Sequence, residues 1–166
     1  MAMIAQIRPT TYADLPDVMA VYAIARESMC RAGNASQWAG GYPAESFVTE
    51  EIASGHSFVC ENEAKEIVGT FCLIFGDDPT YARIYDGEWL NNEPYATAHR
   101  IASSGKERGV ARFCIDWCFT RYPNIRIDTH RDNHIMQHVI KSMGFTYCGI
   151  IFVPNGSERL AYQKLL

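Results

Sequence analysis

The sequence predicts an α+β fold of the three-layer α/β type, with a mixed central sheet of about six to seven strands flanked by about four helices. In the first half, two strand-like segments separated by a short polar turn are typical of a β-hairpin. In the second half, segments with strand and helix periodicity alternate, as they do in parallel crossover connections. The 166 residues show no linker, repeat or low-complexity stretch, so we expect one domain spanning 1–166.

The first half of the chain predicts a strand, two helices and a set of strands. Residues 3–8 alternate weakly and predict a short strand. Asp14 is a suitable N-cap for a helix that ends at Gly33, and Pro43 opens a second helix that ends near Gly55. Further strands are predicted at 56–61, 67–75 and 95–103, and the pattern at 81–90 is compatible with a strand followed by a turn.

The second half predicts two more helices between strands. The first begins at Val110, where apolar residues recur at helical spacing, and it is stopped by Pro123. The second is capped by Asp132 or Asn133 and ends before Gly144. The accompanying strands are predicted at 125–130, 146–153 and 159–164.

Composition and charge exclude several classes of function. Nineteen acidic and fifteen basic residues give a net charge of −4, whereas a nucleic-acid-binding surface would need a basic excess. No apolar run approaches the ~20 residues of a membrane span, and the start of the chain does not resemble a secretory signal. None of the six cysteines has zinc-site spacing, so we expect no metal. Their even number would allow three disulfides, but the chain is long enough to build its own core and most of them lie in apolar runs, so we expect reduced, buried thiols in a cytoplasmic protein.

The strand-to-helix junction at 103–109, S-S-G-K-E-R-G, is the strongest candidate for chemistry, because P-loop, Rossmann, H-E-x-x-H and G-x-S-x-G patterns are absent from the sequence. Gly105 and Gly109 allow a tight turn and close approach to a ligand. The first amides of the next helix carry partial positive charge, and Lys106 and Arg108 add to it. These features predict a pyrophosphate-binding loop. The alternative is an ordinary turn with solvated basic side chains.

This chain resembles the GCN5-related N-acetyltransferase (GNAT) superfamily over nearly its whole length. The superfamily's coenzyme A loop, Q/R-x-x-G-x-G/A, is similar to Lys106–Ala111, with lysine in the first position. Asn133–Met136 matches the N-x-x-A/M start of the following helix, and Gly144-Phe145 matches the Gly-Phe at its end. The segments Q-W-A-G-G-Y-P and R-I-D-T-H-R-D-N resemble some bacterial members, which points to a particular bacterial branch with the GNAT-like fold.

The resemblance implies that acetyl-CoA lies in a gap between two splayed parallel strands, those containing Ile101 and Ile127. A free N–H group of Ile101 or Ala102 would hold the thioester carbonyl, and Met136 and Ile140 would form an apolar wall. The implied cofactor-binding residues are Ile101, Ala102, Ser103, Lys106, Glu107, Arg108, Gly109, Val110, Ala111, Asn133, Met136 and Ile140.

The resemblance also places the acceptor amine on the opposite face of the sheet. The expected substrate pocket consists of Trp38, Tyr42, Glu88 and Trp89. Two of these residues have structural alternatives, because Trp38 would equally clasp the first two helices and Trp89 would equally cap the edge of the sheet.

The general acid and base are left open by the sequence. Many members of the superfamily carry a tyrosine that acts as the general acid where this chain has Ile140, and Tyr147 and Cys148 are candidate substitutes. The candidate bases are His99, Asp128, His130 and Glu88. Alternation places Asp128 and His130 on one face of a strand, where they would form a hydrogen-bonded pair or merely fix the turn into the next helix.

Together these features predict direct transfer of an acetyl group from acetyl-CoA to a primary amine of a small molecule, through a ternary complex. The alternative is a catalytically silent acyl-CoA-binding sensor or interaction module, which Ile140 motivates. We expect no nucleic-acid or membrane partner. Late strands that pair between subunits, as the resemblance implies, would give a homodimer.

Overall fold

The computed structural model describes residues 3–166, which form a seven-stranded mixed sheet with four α-helices. The strands are β1 (Ile4–Pro9), β2 (Ser57–Asn62), β3 (Ile67–Phe75), β4 (Ala96–Ser103), β5 (Asn124–Thr129), β6 (Thr146–Phe152) and β7 (Glu158–Leu165). The helices are α1 (Leu15–Arg31), α2 (Glu45–Ala53), α3 (Val110–Arg121) and α4 (His134–Ser142). The sheet order is β1-β2-β3-β4-β5-β7-β6, which confirms the predicted fold class.

The sheet is antiparallel on both sides of one central parallel pair. The strands β1 to β4 pair in sequence order, and β5, β7 and β6 form a second antiparallel set. The two sets are joined by the parallel pairing of β4 with β5, and α3 is the crossover between them. Because parallel strands end at the same edge of a sheet, the ends of β4 and β5 lie close to the starts of α3 and α4.

The helices cover the two faces of the sheet unequally. On one face, α3 and α4 pack over the main core, which includes Phe71, Ile125, Ile140 and Tyr162. On the opposite face, α1 and α2 cover the β1–β4 side, and residues 76–95 cover the β5–β7 side. The ends of β4 and β5 lie where these two covers meet.

The helix starts follow the sequence closely. Asn133 caps α4, because its Oδ1 accepts a hydrogen bond from Met136 N at 3.1 Å, and this decides between the two predicted caps. Asp14 precedes α1 as predicted, but its carboxylate instead accepts from Thr11 N at 2.8 Å and from Arg8 at 2.7 Å. The hydrogen bond from Arg8 lowers the pKa of Asp14 to about 2.

The segment 81–90 differs from the prediction, because it forms a single bridge instead of a strand. Tyr85 and Ile150 of β6 exchange two main-chain hydrogen bonds of 2.8 Å. Gly87 then crosses β6 so closely that a Cβ atom would lie 1.9 Å from the carbonyl oxygen of Cys148. Glycine is therefore required at this crossing.

All six cysteines are free thiols, and five of them are buried as expected. Cys30 is exposed, contrary to the expectation, because it lies on the outer side of the last turn of α1. Within residues 3–166, no three His, Cys, Asp or Glu side chains cluster closely enough to hold a metal ion. Over the same range, every helix is too short or too polar to span a membrane.

Candidate functional site

The strands β4 and β5 pair only at their first residues. Ala96 lies opposite Ile125 and Thr97 lies opposite Arg126, and the ladder ends there. Both strands continue beyond these pairs without a ladder between them. The sheet therefore contains a gap between the two strands that the resemblance to the GNAT superfamily singles out.

A β-bulge in β4 lies beside this gap. Cys72 of β3 is opposite His99 and Thr70 is opposite Ala102, so β4 contains one more residue than β3 between these two pairs. Arg100, within the bulge, has a left-handed φ of 53°, which is unfavourable for a residue with a Cβ atom. Bulges of this kind redirect the backbone and side chains beside them.

The backbone of β4 beyond the bulge offers hydrogen-bond donors to the gap. Ser104 N donates to Val68 O at 2.9 Å, so alternate residues direct their N–H groups toward β3. By this alternation, the N–H group of Ala102 points to β3, whereas those of Ile101 and Ser103 point toward β5. Of the two residues predicted to hold a carbonyl oxygen, Ile101 is the one directed into the gap.

The gap opens into a cleft of about 40 Å³ that is lined from both faces of the sheet. Met29, Gln37 and Trp38 line it on the α1 side, and Asn133 and Met136 line it on the α4 side. The strands contribute Ala98, Arg100, Ile101, Ile127, Asp128 and Thr129. Two reactants that approach from opposite faces can therefore meet between β4 and β5.

The start of α3 presents a row of unpaired main-chain amides. Gly109 is its N-cap, with a φ of 75°, and no side chain caps the helix. Gly105 and Lys106 donate their N–H groups to nearby serine hydroxyls at 3.1 and 3.3 Å. The N–H groups of 107–112, in contrast, have no acceptor within residues 3–166. Unpaired amides at a helix start form an anion-binding site.

Gly69 of β3 allows α3 to begin close to the sheet, and sequence analysis missed this residue. A Cβ atom at Gly69 would lie 2.4 Å from Cγ1 of Val110 and 3.1 Å from the carbonyl oxygen of Ala102. The signal for it is a glycine inside an otherwise apolar strand, which often marks a close approach.

Basic side chains surround the unpaired amides, but some of them are already engaged by other side chains of the protein. Lys106 forms an ion pair with Glu66 at 2.8 Å, and Arg112 donates to the hydroxyl group of Ser142. Arg108 is exposed and forms no ion pair within residues 3–166. Arg108 is therefore the cation best placed to meet an anion at this helix start.

The start of α4 forms one wall of the cleft. Met136 lines it, whereas Ile140, the other residue expected in this wall, is 0 % exposed and belongs to the main core. Both polar groups of the Asn133 side chain are engaged, Oδ1 by Met136 N and Nδ2 by Gln37 Oε1 at 3.0 Å. Asn133 thus positions the wall.

Gln37 joins the two sides of the cleft, and sequence analysis did not single it out. Its Oε1 accepts from Asn34 Nδ2 and Asn133 Nδ2, both at 3.0 Å, and from His130 N at 3.4 Å. The only signal was its place in the shared Q-W-A-G-G-Y-P segment.

Asp128 lies in the cleft and is held there by Tyr81. The hydroxyl group of Tyr81 donates to Oδ2 of Asp128 at 2.5 Å. Burial raises the pKa of Tyr81, and the neighbouring charge of Asp128 raises it further, so the phenol stays protonated as a donor. The other oxygen, Oδ1, has no partner within residues 3–166 and is available as an acceptor.

His99 pairs with Asp78, another residue that sequence analysis missed. Nε2 of His99 lies 3.1 Å from Oδ2 of Asp78. Although burial opposes the charge on Asp78, hydrogen bonds from His99 and from Thr80 N lower the pKa of this carboxyl overall. His99 does not line the cleft, so this geometry favours a structural role for it.

His130 fixes the turn into α4. Its Nδ1 accepts a hydrogen bond from Asp132 N at 3.0 Å, so the proton of the neutral ring sits on Nε2. Burial lowers the pKa of His130, and the positive charge of Arg159 lowers it further. The alternative of a pair between Asp128 and His130 is not realised, because each residue is bonded to another partner.

Trp38 and Tyr42 lie together on the acceptor side. Trp38 lines the cleft and also packs edge-on against Tyr22 of α1, with ring centroids 5.6 Å apart, so it contacts both the cleft and the helix. Tyr42 is half-exposed, and its hydroxyl group accepts from Arg100 Nη1 at 3.3 Å. Arg100 also donates to Glu51 at 3.3 Å, which balances its charge.

Three further predicted site residues, like His99 and Ile140, do not line the cleft. The ring of Trp89 stacks 4.0 Å from the guanidinium of Arg126, so its aromatic face is already occupied by a cation of the protein. Glu88 is exposed in the segment that crosses β6. Tyr147 lies on the edge strand β6, two strands from β5, and packs against Tyr162. Sequence periodicity gave the face of each strand but not its place in the sheet.

Comparison with solved structures shows strong likeness over the whole chain. An acetyltransferase of the GNAT family from Streptococcus agalactiae 2603 is 30% identical, with a TM-score of 0.89, and the match covers 100% of this chain and 99% of that chain. No protein-family profile and no curated protein matches the sequence.

Two more distant structures share the fold. A GNAT superfamily phosphinothricin acetyltransferase from Sinorhizobium meliloti, solved in complex with AcCoA, is 15% identical with a TM-score of 0.68, over 99% of this chain and 89% of that chain. A histone acetyltransferase HPA2 and related acetyltransferase from Corynebacterium glutamicum is 19% identical with a TM-score of 0.66, over 98% and 97%.

Proposed function

This chain belongs to the GNAT family of acetyltransferases, and from that premise we propose that it transfers an acetyl group from acetyl-CoA to a primary amine of a small molecule. The observation that carries the proposal is the row of unpaired amides at 107–112, which begins α3 beside the gap between β4 and β5. Unpaired amides at a helix start attract an anion, and these lie just beyond the strand that borders the gap.

The residues around the gap fit acetyl-CoA. The amides of 107–112, together with Arg108, would hold its pyrophosphate. The N–H group of Ser103 would pair with the pantetheine arm, and Met136 would give that arm an apolar contact. When bound, acetyl-CoA supplies an activated acetyl thioester.

The acceptor amine would enter from the α1 face and meet Asp128. Oδ1 of Asp128 would bind the ammonium group and take up its proton, directly or through water. The N–H group of Ile101 would stabilise the negative charge that develops on the carbonyl oxygen. The transfer forms a bond from the amine nitrogen to the acetyl carbon and breaks the carbon–sulfur bond. The sulfur leaves as a thiolate and takes up a proton, the nitrogen gives up its second proton to solvent, and the products are the acetylated amine and free CoA.

Asp128 is the base that the geometry supports best among the sequence candidates. His99 lies outside the cleft, and the lone pair of His130 Nδ1 already accepts from a main-chain amide. The position at which many members of the superfamily carry a tyrosine is Ile140 here, and it is buried in the core. Solvent would therefore supply the proton that the departing sulfur takes up.

Calorimetric titration with acetyl-CoA tests the cofactor site directly. We expect binding by the unaltered protein and about a tenfold or greater loss of affinity in Arg108→Glu, which places an anion beside the amides. Arg83→Glu makes the same charge change on an exposed residue far from α3 and serves as the control. An absence of acetyl-CoA binding by the unaltered protein would contradict the proposal.

A second candidate function is a silent acyl-CoA-binding module, which the burial of Ile140 at the usual acid position favours. A screen of small amines with a free-thiol readout separates the two functions. Turnover of any amine that is abolished in Asp128→Asn supports the transferase. Binding of acetyl-CoA without turnover of any amine supports the silent module.

A further inference from the structure

Two arginines lie buried on the acceptor face of the sheet. Arg126 is 4 % exposed and Arg159 is 6 % exposed, and strand register places both on the same face as Asp128. Burying a guanidinium is costly unless a carboxylate or an equivalent partner compensates its charge.

The two arginines differ in how their charge is compensated. Arg126 lies between two aromatic rings, 4.0 Å from the centroid of Trp89 and 3.9 Å from that of Tyr95. It also donates to the carbonyl oxygen of Asn91 at 2.9 Å. Arg126 therefore has a structural explanation within the protein.

Arg159 has no such explanation. Its guanidinium donates only to neutral oxygens, which are Ser157 Oγ at 2.6 Å, Glu158 O at 2.9 Å and Gln37 O at 3.4 Å. It forms no ion pair and no aromatic stack with any of the residues from 3 to 166. Burial lowers the pKa of Arg159, and the neighbouring charge of Asp128 opposes this shift, so Asp128 compensates part of its charge without forming an ion pair.

Arg159 also lies beside the cleft. Asp128 is opposite Ala161 of β7, so Arg159 is a diagonal neighbour of Asp128 on the same face, within reach of a long side chain. Gln37, whose carbonyl oxygen Arg159 contacts, lines the cleft itself. The acceptor side thus presents the carboxylate of Asp128 and, next to it, a guanidinium that forms no ion pair with any of the residues from 3 to 166.

We propose that Asp128 and Arg159 form a zwitterion-binding pair, so that the acceptor is an amino acid whose ammonium group meets Asp128 and whose carboxylate meets Arg159. This inference rests on the proposed function for the role of Asp128. It narrows the acceptors from amines in general to amines that carry an anionic group close to the nitrogen.

Matched acceptors test the pair. The probes are the common amino acids, each compared with its own carboxamide, in the free-thiol assay with acetyl-CoA. We expect kcat/KM for the best amino acid to exceed that of its carboxamide by roughly ten- to a hundredfold, as a charged hydrogen-bonded contact gives. Equal rates for the acid and the carboxamide would overturn the pair and leave the transferase function intact.

Variants of Arg159 test whether this residue causes the preference for amino acids over carboxamides. Arg159→Gln should raise KM for the amino acid about tenfold or more while changing the carboxamide little, so that the preference disappears. Arg159→Lys keeps the positive charge and should therefore retain part of the preference for the amino acid over its carboxamide. Arg131→Gln removes an exposed arginine that pairs with Glu158 and should leave the preference unchanged. An equal loss for both acceptors in Arg159→Gln would overturn the assignment.

A second readout separates this proposal from the proposed function. Thermal shift of the protein by amino acids alone requires no acetyl-CoA. Stabilisation that is lost in Arg159→Gln, in a protein that fails to bind acetyl-CoA, would support the pair and contradict the acetyltransferase assignment. No stabilisation by any amino acid, together with turnover of simple amines, would overturn the pair alone.

Discussion

The hydroxyl group of Tyr81 donates a hydrogen bond to Oδ2 of Asp128 across 2.5 Å, and this contact ties the segment 76–95 to the cleft. Tyr81 is buried, and its raised pKa keeps the phenol protonated. One oxygen of Asp128 is therefore fixed by the protein, and the other is left for the acceptor.

Tyr81→Phe keeps the ring and removes this donor. We expect the free energy of unfolding to fall by about 1–3 kcal/mol, because an oxygen of Asp128 loses its partner. Turnover of the amine should fall as Asp128 loses its fixed orientation, while acetyl-CoA affinity stays unchanged. Denaturant unfolding, amine kinetics and calorimetry measure the three effects.

Tyr85→Phe is the matched control, because Tyr85 is a half-exposed tyrosine of the same segment whose hydroxyl group makes no hydrogen bond within residues 3–166. Equal losses of amine turnover in Tyr81→Phe and Tyr85→Phe would contradict a positioning role for Tyr81.

The parts of the site that could be predicted from the sequence depend on residues that lie close together along the chain. The turn at Gly105 and Gly109, the cap at Asn133 and the strands on either side follow from spacing, caps and glycine conformations within a few residues. The gap between β4 and β5 was implied by the resemblance, and its exact extent depends on the bulge at Arg100.

The parts that sequence could not predict depend on contacts between distant segments. Asp128 and Tyr81 are separated by 47 residues, and Gln37 and Asn133 by 96. Periodicity assigns a residue to a face, but it does not say which segment covers that face. The contact between Trp89 and Arg126 is an example, because nothing in the sequence near Trp89 indicates that its ring stacks on Arg126 instead of lining the pocket.

Gly109→Ala tests the amide row without a change of charge. Its φ of 75° makes a Cβ atom unfavourable, so we expect a loss of stability, of about 1–2 kcal/mol. Acetyl-CoA affinity should fall as well, because relief of the unfavourable φ would shift the backbone that carries the donor amides. Gly55→Ala is the control, since Gly55 has the same φ of 75° at the end of α2 and no atom within 4 Å of the added Cβ. Equal acetyl-CoA affinity in the two variants would contradict the placement of the pyrophosphate.

Gly69→Ala tests whether the position of α3 sets the cofactor site. The added Cβ would lie 2.4 Å from Cγ1 of Val110, so the start of α3 must move away from the sheet. We expect a loss of about 1–3 kcal/mol in stability, as overpacking gives, and weaker acetyl-CoA binding. The double variant Gly69→Ala/Val110→Ala removes the clashing methyl group and should recover affinity relative to Gly69→Ala. If the losses of acetyl-CoA affinity simply add in the double variant, residues 69 and 110 are not coupled and the explanation by a clash is wrong.

The buried environment of His130 predicts that the protein loses stability as the pH falls. Burial lowers its pKa in the folded protein below the ordinary 6.5, with Arg159 lowering it further. As pH falls below about 6.5, the unfolded chain binds a proton at this residue more readily than the folded protein does. Stability is therefore lost on acidification through this range and is fully present above it.

His130→Asn removes the titrating group and keeps an acceptor for Asp132 N at a similar position. We expect the unfolding free energy of the variant to change less than that of the unaltered protein between about pH 7.5 and about pH 5.5. His138→Asn is the control, because His138 is exposed on α4. Denaturant unfolding at the two pH values measures the difference. If the variant keeps the full pH dependence while His138→Asn reduces it, the proton uptake belongs elsewhere and His130 does not resist protonation in the folded state.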